Sequence, residues 1–318
     1  VVEIEKKQAV AFKNSFGFKR YYTMDYYLKH KFGKKMCKIP LSSGCTCPNR
    51  DGTLGFGGCS FCTGDGGSEF APKSTAPLIE QYQRGREKLQ DKWRGAGFIA
   101  YFQSFSNTYT STEKLERLLG EAFALPQIEA LRISTRADCI DPSKVEILKA
   151  YSKKIPLVVE LGLQTIFDET ALRLNRCHSY EDFLKGYKLL EAGDIPVSVH
   201  IINGLPHETP LMMLETAKAL GKLSPFAIKI HALHILKGSA LGAIYEKSPF
   251  KLQERSEYIE TLVSQLELIP PSTVIERVTG DGSGENLIAP SWTKNKLTII
   301  NDIDKELLRR DSFQGRLF

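Results

Sequence analysis

The chain predicts an α/β protein, a partial (β/α)6 barrel with an extension at each end, and three observations carry that expectation. Six short runs rich in Val, Ile, Leu or Phe alternate with five longer segments of helical periodicity. A glycine-rich loop bearing three thiols follows the first run directly. The 318 residues, 42% hydrophobic and 25% charged, are enough to bury one large core.

Residues 1–36 read as a basic, aromatic N-terminal extension. Residues 1–40 hold ten Lys/Arg against three acids, so the segment alone accounts for more than the net charge of +6, with Phe12, Phe16, Phe18, Tyr21, Tyr22, Tyr26, Tyr27 and Phe32 interleaved. Cations neutralise phosphates and ring faces stack on bases, which makes Lys29, Lys31, Lys34 and Lys35 candidate contacts for a looped nucleic acid. A solvated amphipathic segment whose rings pack on the domain is the plainer alternative.

The barrel is expected over residues 37–245. Its strands are placed at Lys38–Leu41, Gly97–Gln103, Ala130–Ser134, Leu157–Leu161, Val197–Ile202 and Ala227–His231. Helices are placed at Pro77–Lys92, Thr112–Ala122, Pro142–Lys154, Ser179–Glu191 and Pro210–Leu223. Thr112-Glu113 and Ser179-Tyr180-Glu181-Asp182 supply a hydroxyl ahead of an acidic first turn, a helix-start pattern. Successive βα units imply a parallel sheet that right-handed crossovers curl into a barrel, with chemistry at the C-terminal strand ends. Residues 246–318 read as a helical and strand extension packed on that barrel. No run approaches the ~18–20 apolar residues of a membrane-spanning helix, and no signal-peptide core opens the chain, which points to the cytoplasm and to no membrane partner.

Cys47, Cys59 and Cys62 form a C-x11-C-x2-C pattern on a loop too rich in glycine for helix or strand. Three thiolates leave a four-position metal centre one ligand short, as a catalytic centre requires, and the pattern reads as a [4Fe-4S] cluster whose fourth iron takes a small molecule. Counting Cys45, four thiolates would close a structural zinc site, the reading of a zinc-stabilised RNA-binding protein. Cys37, Cys139 and Cys177 are too scattered for a second cluster and read as small buried hydrophobes.

A three-cysteine loop after the first strand of a βα series, with Phe61 just before its last cysteine, resembles the radical S-adenosylmethionine (SAM) enzymes and their TIM-like partial barrel. The long first gap, Cys47-Pro48-Asn49-Arg50-Asp51-Gly52-Thr53 and Gly57-Gly58-Cys59-Ser60-Phe61-Cys62 resemble one branch, bacterial proteins related to the catalytic subunit of Elongator. The likeness runs from about Tyr22 to Gln314 and includes Ser134-Thr135-Arg136-Ala137-Asp138, Glu160-Leu161-Gly162-Leu163-Gln164-Thr165 and Thr279-Gly280-Asp281-Gly282. It implies thiolates of Cys47, Cys59 and Cys62 on three irons and S-adenosylmethionine on the fourth. One-electron reduction, from a donor such as flavodoxin or ferredoxin, would then cleave the cofactor to a 5′-deoxyadenosyl radical. Gln103 or Ser104 stands in for the usual Gly-Gly-Glu-like turn near the amino group. Ser134 and His200 fall where relatives contact the ribose, with Arg136 just beyond Ser134; Gln164 and Arg176 fall where relatives contact the methionine carboxylate.

Substrate signals are sparser. His231, His234, Lys237, Arg277 and Asp281 follow the last strands and lean toward an anionic, ring-bearing substrate. The resemblance implies a transfer RNA wobble uridine, altered at its C5 side chain to an aminomethyl-type product; no acetyltransferase-sized segment follows the barrel, which argues against Elongator's own carboxymethylation. A radical enzyme acting on a small metabolite or porphyrin is the alternative.

Overall fold

The computed structural model describes residues 15–66, 76–280 and 285–318; Asp281 lies outside them. Helix α1 (Met24–Phe32) starts at Thr23, whose hydroxyl accepts from the Tyr26 N–H at 3.2 Å, and stops at Gly33 in the left-handed region. Then follow β1 (Met36–Leu41), α2 (Leu78–Gln90), β2 (Gly97–Phe102), α3 (Thr112–Phe123) and β3 (Ile128–Thr135). Asp141 caps α4 (Pro142–Ser152), which opens on proline, and β4 (Leu157–Gln164) precedes the short α5 (Asp168–Arg173). A capping box between Ser179 and Asp182 starts α6 (Tyr180–Ala192), as its sequence predicts. The remainder is β5 (Val197–Asn203), α7 (Pro210–Leu223), β6 (Ala227–Ala232), β7 (Ile235–Leu236), α8 (Ala240–Lys247), α9 (Arg255–Leu268), β8 (Val274–Arg277), β9 (Leu287–Ala289) and α10 (Lys296–Arg309). Among the described residues no helix is long and apolar enough to cross a membrane.

The main sheet is parallel throughout, in the order β1-β2-β3-β4-β5-β6-β8. All six expected strands are present. The seventh, β8, comes from the expected C-terminal extension and hydrogen-bonds along β6, so that extension completes the sheet rather than only packing on it. Four residues, Val-Ile-Glu-Arg, carry too little periodicity to announce a strand.

Laid flat, seven strands would hold β1 and β8 roughly 29 Å apart. Yet the Lys38 ammonium on β1 bonds the Glu276 carboxylate on β8, so the sheet curls into a partial barrel. Alternation gives the curled sheet an apolar outer face and a charged inner one. Ile39, Leu41, Leu131, Ile133, Val159, Leu161, Val199 and Ile201 point out into the core beneath the helices, while Lys38, Arg132, Glu160, Lys229 and Glu276 point in.

Helix α1 closes the N-terminal end. Met24 packs on Ala227 and Val274, and Leu28 and Phe32 pack on Met36, Ile99 and Ala130, all at the starts of strands. Tyr22 carbonyl accepts from the Ile275 N–H at 2.6 Å, tying the helix to β8.

Candidate active site at the C-terminal ends of the strands

The loop after β1 is held by its own backbone. Arg50 N–H donates to Cys47 carbonyl, Gly58 N–H to Asn49 carbonyl and Cys62 N–H to Cys59 carbonyl, each at 2.9 Å. Gly58 is required twice over: its φ is +79°, and a Cβ there would meet the Arg50 side chain at 2.7 Å. Cys47, Cys59, Cys62 and Phe61 line one cavity of about 1150 Å³. Cys45 does not line it; its thiol turns to the Asn107 carbonyl at 3.8 Å.

The segment after α5 clamps this loop. Ser60 N–H donates to the Leu174 carbonyl at 2.9 Å, and Asn175 Nδ2 donates to the carbonyls of Phe56 and Gly58. Arg176 Nη1 lies 3.3 Å from Cys59 Sγ, while Nη2 donates to Gly162 carbonyl at 2.7 Å and to His178 Nε2 at 2.6 Å. Asn175 and Cys177 flank Arg176 with φ of +52° and +55°, backbone that a cysteine rarely adopts and that the surrounding contacts must hold.

Deeper in the barrel the inward charges meet on Glu160. Its Oε2 accepts from Tyr101 at 2.6 Å, Lys229 at 2.5 Å, Ser134 at 3.0 Å and His200 at 3.2 Å, and its Oε1 from Arg132 at 2.8 Å. Arg132, Lys229 and Lys38 also reach Glu276. Burial raises both carboxyls, but Lys229, Lys38 and Arg132 overcome it and hold them well below the ordinary range. Three cations face two carboxylates; Lys38, the most exposed, is pulled down to about 7 by burial and then by Arg132. Sequence reasoning missed this hub. Its signal was present: Arg132, Glu160 and Lys229 are single charges at alternating positions inside apolar strands.

The remaining expected residues divide clearly. Gln103, Ser134, Arg136, Gln164, Arg176, His200, His231, His234 and Arg277 all line the cavity. Ser104 and Lys237 do not: Ser104 carbonyl accepts from Asn107 Nδ2, and Lys237 N–H donates to the Asn286 carbonyl. Lys29, Lys31, Lys34 and Lys35 belong to α1 and the turn after it, at the end of the barrel opposite the cysteines. Lys29 and Lys35 pair with Asp25, Lys34 with Glu129, and Lys31 reaches the Tyr27 hydroxyl. None of the four lines the cavity, so the nucleic-acid contact expected of them falls outside it.

A family model for the Radical SAM superfamily matches residues 44–220, and one for the Radical_SAM C-terminal domain matches residues 225–309. This chain belongs to the radical SAM superfamily. It is similar to the uncharacterized protein YtqA of Bacillus subtilis, 42% identical over 94% of this chain and 93% of that one. It is also similar to the tRNA uridine(34) acetyltransferase of Methanocaldococcus infernus, 28% identical over 48% of this chain and 28% of the relative. Among solved structures, Methanocaldococcus infernus Elp3 shares the fold at a TM-score of 0.67 and 18% identity, with 88% of this chain covering 64% of that one. The protein is therefore a radical SAM enzyme of the Elongator-related branch, and its cofactors are a [4Fe-4S] cluster and S-adenosylmethionine.

The residues present fit those cofactors. Three thiols on a shared cavity, with no fourth cysteine among the described residues lining it, suit a cluster that takes one thiolate per iron and leaves its fourth iron open. Burial raises the Cys47 thiol, and burial with Cys59 pushes Cys62 up to about 11. Burial raises Cys59 as well, but Arg176 and then Asn49 outweigh it and hold that thiol below its ordinary value. Arg136 is 4% exposed and grips Asp138 through Nε and Nη2, leaving Nη1 buried without a protein partner. A buried guanidinium nitrogen with no acceptor fits an anionic group in the cavity.

Proposed function

We propose that this radical SAM enzyme modifies a uridine of transfer RNA, at the C5 side chain of the wobble base, leaving an aminomethyl-type product. The observation that carries the reading is the open seam of the barrel. The cavity extends from the cysteines to the gap between β1 and β8, where Arg84 and Lys88 of α2, Arg277 at the end of β8 and Lys296 at the start of α10 line it. A nucleotide flipped from a loop would bring phosphates to those cations and its base inward. Likeness to a tRNA uridine(34) acetyltransferase supports the same substrate class.

Cys47, Cys59 and Cys62 would hold the cluster, and Arg136 Nη1 with Gln164 would orient the methionine end of S-adenosylmethionine. When bound, these cofactors supply a 5′-deoxyadenosyl radical by one-electron cleavage. Phe61 and Ile202, packed in the apolar cluster around Leu174 and Leu233, would keep water from that region. Ser134 and His200 are both anchored on Glu160, so they reach the ribose only from fixed positions. Burial and then Lys229 hold His200 down at about 4, and His231 is likewise pushed down by burial and then Arg277, so both present neutral rings to the substrate.

The test compares modified nucleosides by mass spectrometry in transfer RNA from cells with and without the gene. Loss of one C5-substituted uridine, with its precursor accumulating, is the expected result. An unchanged profile would move the assignment to a small metabolite or porphyrin.

A further inference from the structure

We propose that Arg176, anchored by His178, sets the reduction potential of the cluster through Cys59 rather than binding the carboxylate of S-adenosylmethionine. The inference rests on Cys59 being a cluster ligand, which iron loading tests separately.

Donor accounting makes the case. A guanidinium has five N–H groups, and a carboxylate is gripped through two parallel ones on a single edge. Both hydrogens of Arg176 Nη2 are committed, to Gly162 carbonyl and His178 Nε2, and Nη1 is directed at Cys59 Sγ. Neither edge that includes Nη2 remains open, so no fork is left for a carboxylate. Nε of Arg176 is buried without a partner, but a single N–H makes no fork; on Arg136 the fork is spent on Asp138 and the unpartnered nitrogen is Nη1, at the other end of the guanidinium.

The grip is directional. His178 accepts from Arg176 while its Nδ1 lies 3.1 Å from the Ser179 carbonyl, and α6 begins at the next residue, so a helix end fixes the imidazole and the imidazole fixes the guanidinium. Asn49, 1% exposed, adds a second donor to Cys59 Sγ at 3.5 Å and is held in turn by the Asn175 carbonyl. The other two sulfurs are served differently. Cys47 faces the Ser106 hydroxyl at 3.2 Å, and Cys62 has the Arg50 guanidinium beside it, shared with the Thr63 carbonyl and too weak to offset burial, so only Cys59 carries both a guanidinium and an amide donor and is held below its ordinary value. A cation and an amide N–H on one ligand sulfur stabilise the more negative, reduced state, which is how hydrogen bonds to sulfur raise a cluster's potential. Reduction takes one electron from an external donor and leaves Arg176 chemically unchanged.

The experiment is a redox titration of the anaerobically reconstituted full chain, following the reduced cluster by electron paramagnetic resonance, with S-adenosylmethionine affinity measured in parallel. Arg176→Gln should lower the reduced-to-oxidised ratio at a fixed poise about tenfold, a fall of about 59 mV for one electron, with affinity within twofold of wild type. His178→Ala keeps the guanidinium but frees it from its anchor, and it should lower the midpoint in the same direction; it carries the test if Arg176→Gln loads no iron. A midpoint unchanged in every variant that loads iron overturns the proposal. So does a tenfold loss of S-adenosylmethionine affinity without a change of midpoint, which would return Arg176 to the carboxylate.

Discussion

Cys47, Cys59 and Cys62 face one cavity while Cys45, two residues before the first of them, turns to a backbone carbonyl. Three thiolates are the minimum anchorage of a site-open cluster, so Cys47→Ala, Cys59→Ala and Cys62→Ala should each abolish iron loading on anaerobic reconstitution, and Cys45→Ala should keep it. Iron and sulfide analysis of the four variants checks this; equal loss in Cys45→Ala would make it a ligand. Arg136→Lys keeps the charge but gives up the fork on Asp138 that aims Nη1, and S-adenosylmethionine affinity should fall about tenfold, ~1.4 kcal/mol. Equilibrium binding to the iron-loaded protein measures it, and unchanged affinity would return Arg136 to a structural pair with Asp138. His200 makes a different prediction. Held at about 4 in the fold, it takes up its proton only on unfolding between that value and its ordinary 6.5, so the unfolded state binds more protons there. Its contribution is whole above pH 6.5 and is lost as pH falls toward 4, at up to ~1.4 kcal/mol per pH unit. Urea unfolding at pH 7.5 and 5.5 should show the loss, and His200→Asn should shrink it; the same loss in both proteins would assign it to other groups.

At the scale of elements, charge in the sequence points to α1, while α2 has cations that line the cavity. Lys29, Lys31, Lys34 and Lys35 lie on the plug at the strand starts, whereas Gly85 brings α2 so close to β1 that a Cβ would meet Ile39 at 2.5 Å, and Arg84 and Lys88 thereby reach the seam. Replacing the four lysines with Ala should leave transfer RNA affinity and its salt slope near wild type. Arg84→Ala with Lys88→Ala should weaken binding and flatten the slope by roughly 0.7–0.9 for each phosphate no longer neutralised. Filter binding across a salt series decides between them, and the reverse outcome would restore the N-terminal segment as the nucleic-acid handle. What the sequence disclosed about these elements follows from the range of the interactions. Six strands, the Ser179 cap and the cysteine loop depend on neighbours a few residues away and were legible. The placing of α1 was not, because Met24 meets Ala227 and Val274 some two hundred residues later. Arg176 reads as a cofactor ligand in the sequence because its place in the chain is visible there, while the commitment of its donors to Cys59, Gly162 and His178 is not.

For the molecule as a whole, the curl of the sheet and the balance of its interior are one event. Lys38, Arg132 and Lys229 come from strands β1, β3 and β6, and of the two carboxylates that hold them, Glu276 arrives only with β8. Leaving a buried charge without its counterpart costs several kcal/mol, so the first six strands cannot close on one another with Glu160 alone. During synthesis, residues emerge at about 5–20 per second, and the sheet must wait some seconds as an open, positively charged trough until Glu276 leaves the ribosome. For that interval three cations on its inner face share Glu160 alone, an excess that the last strand of the sheet relieves.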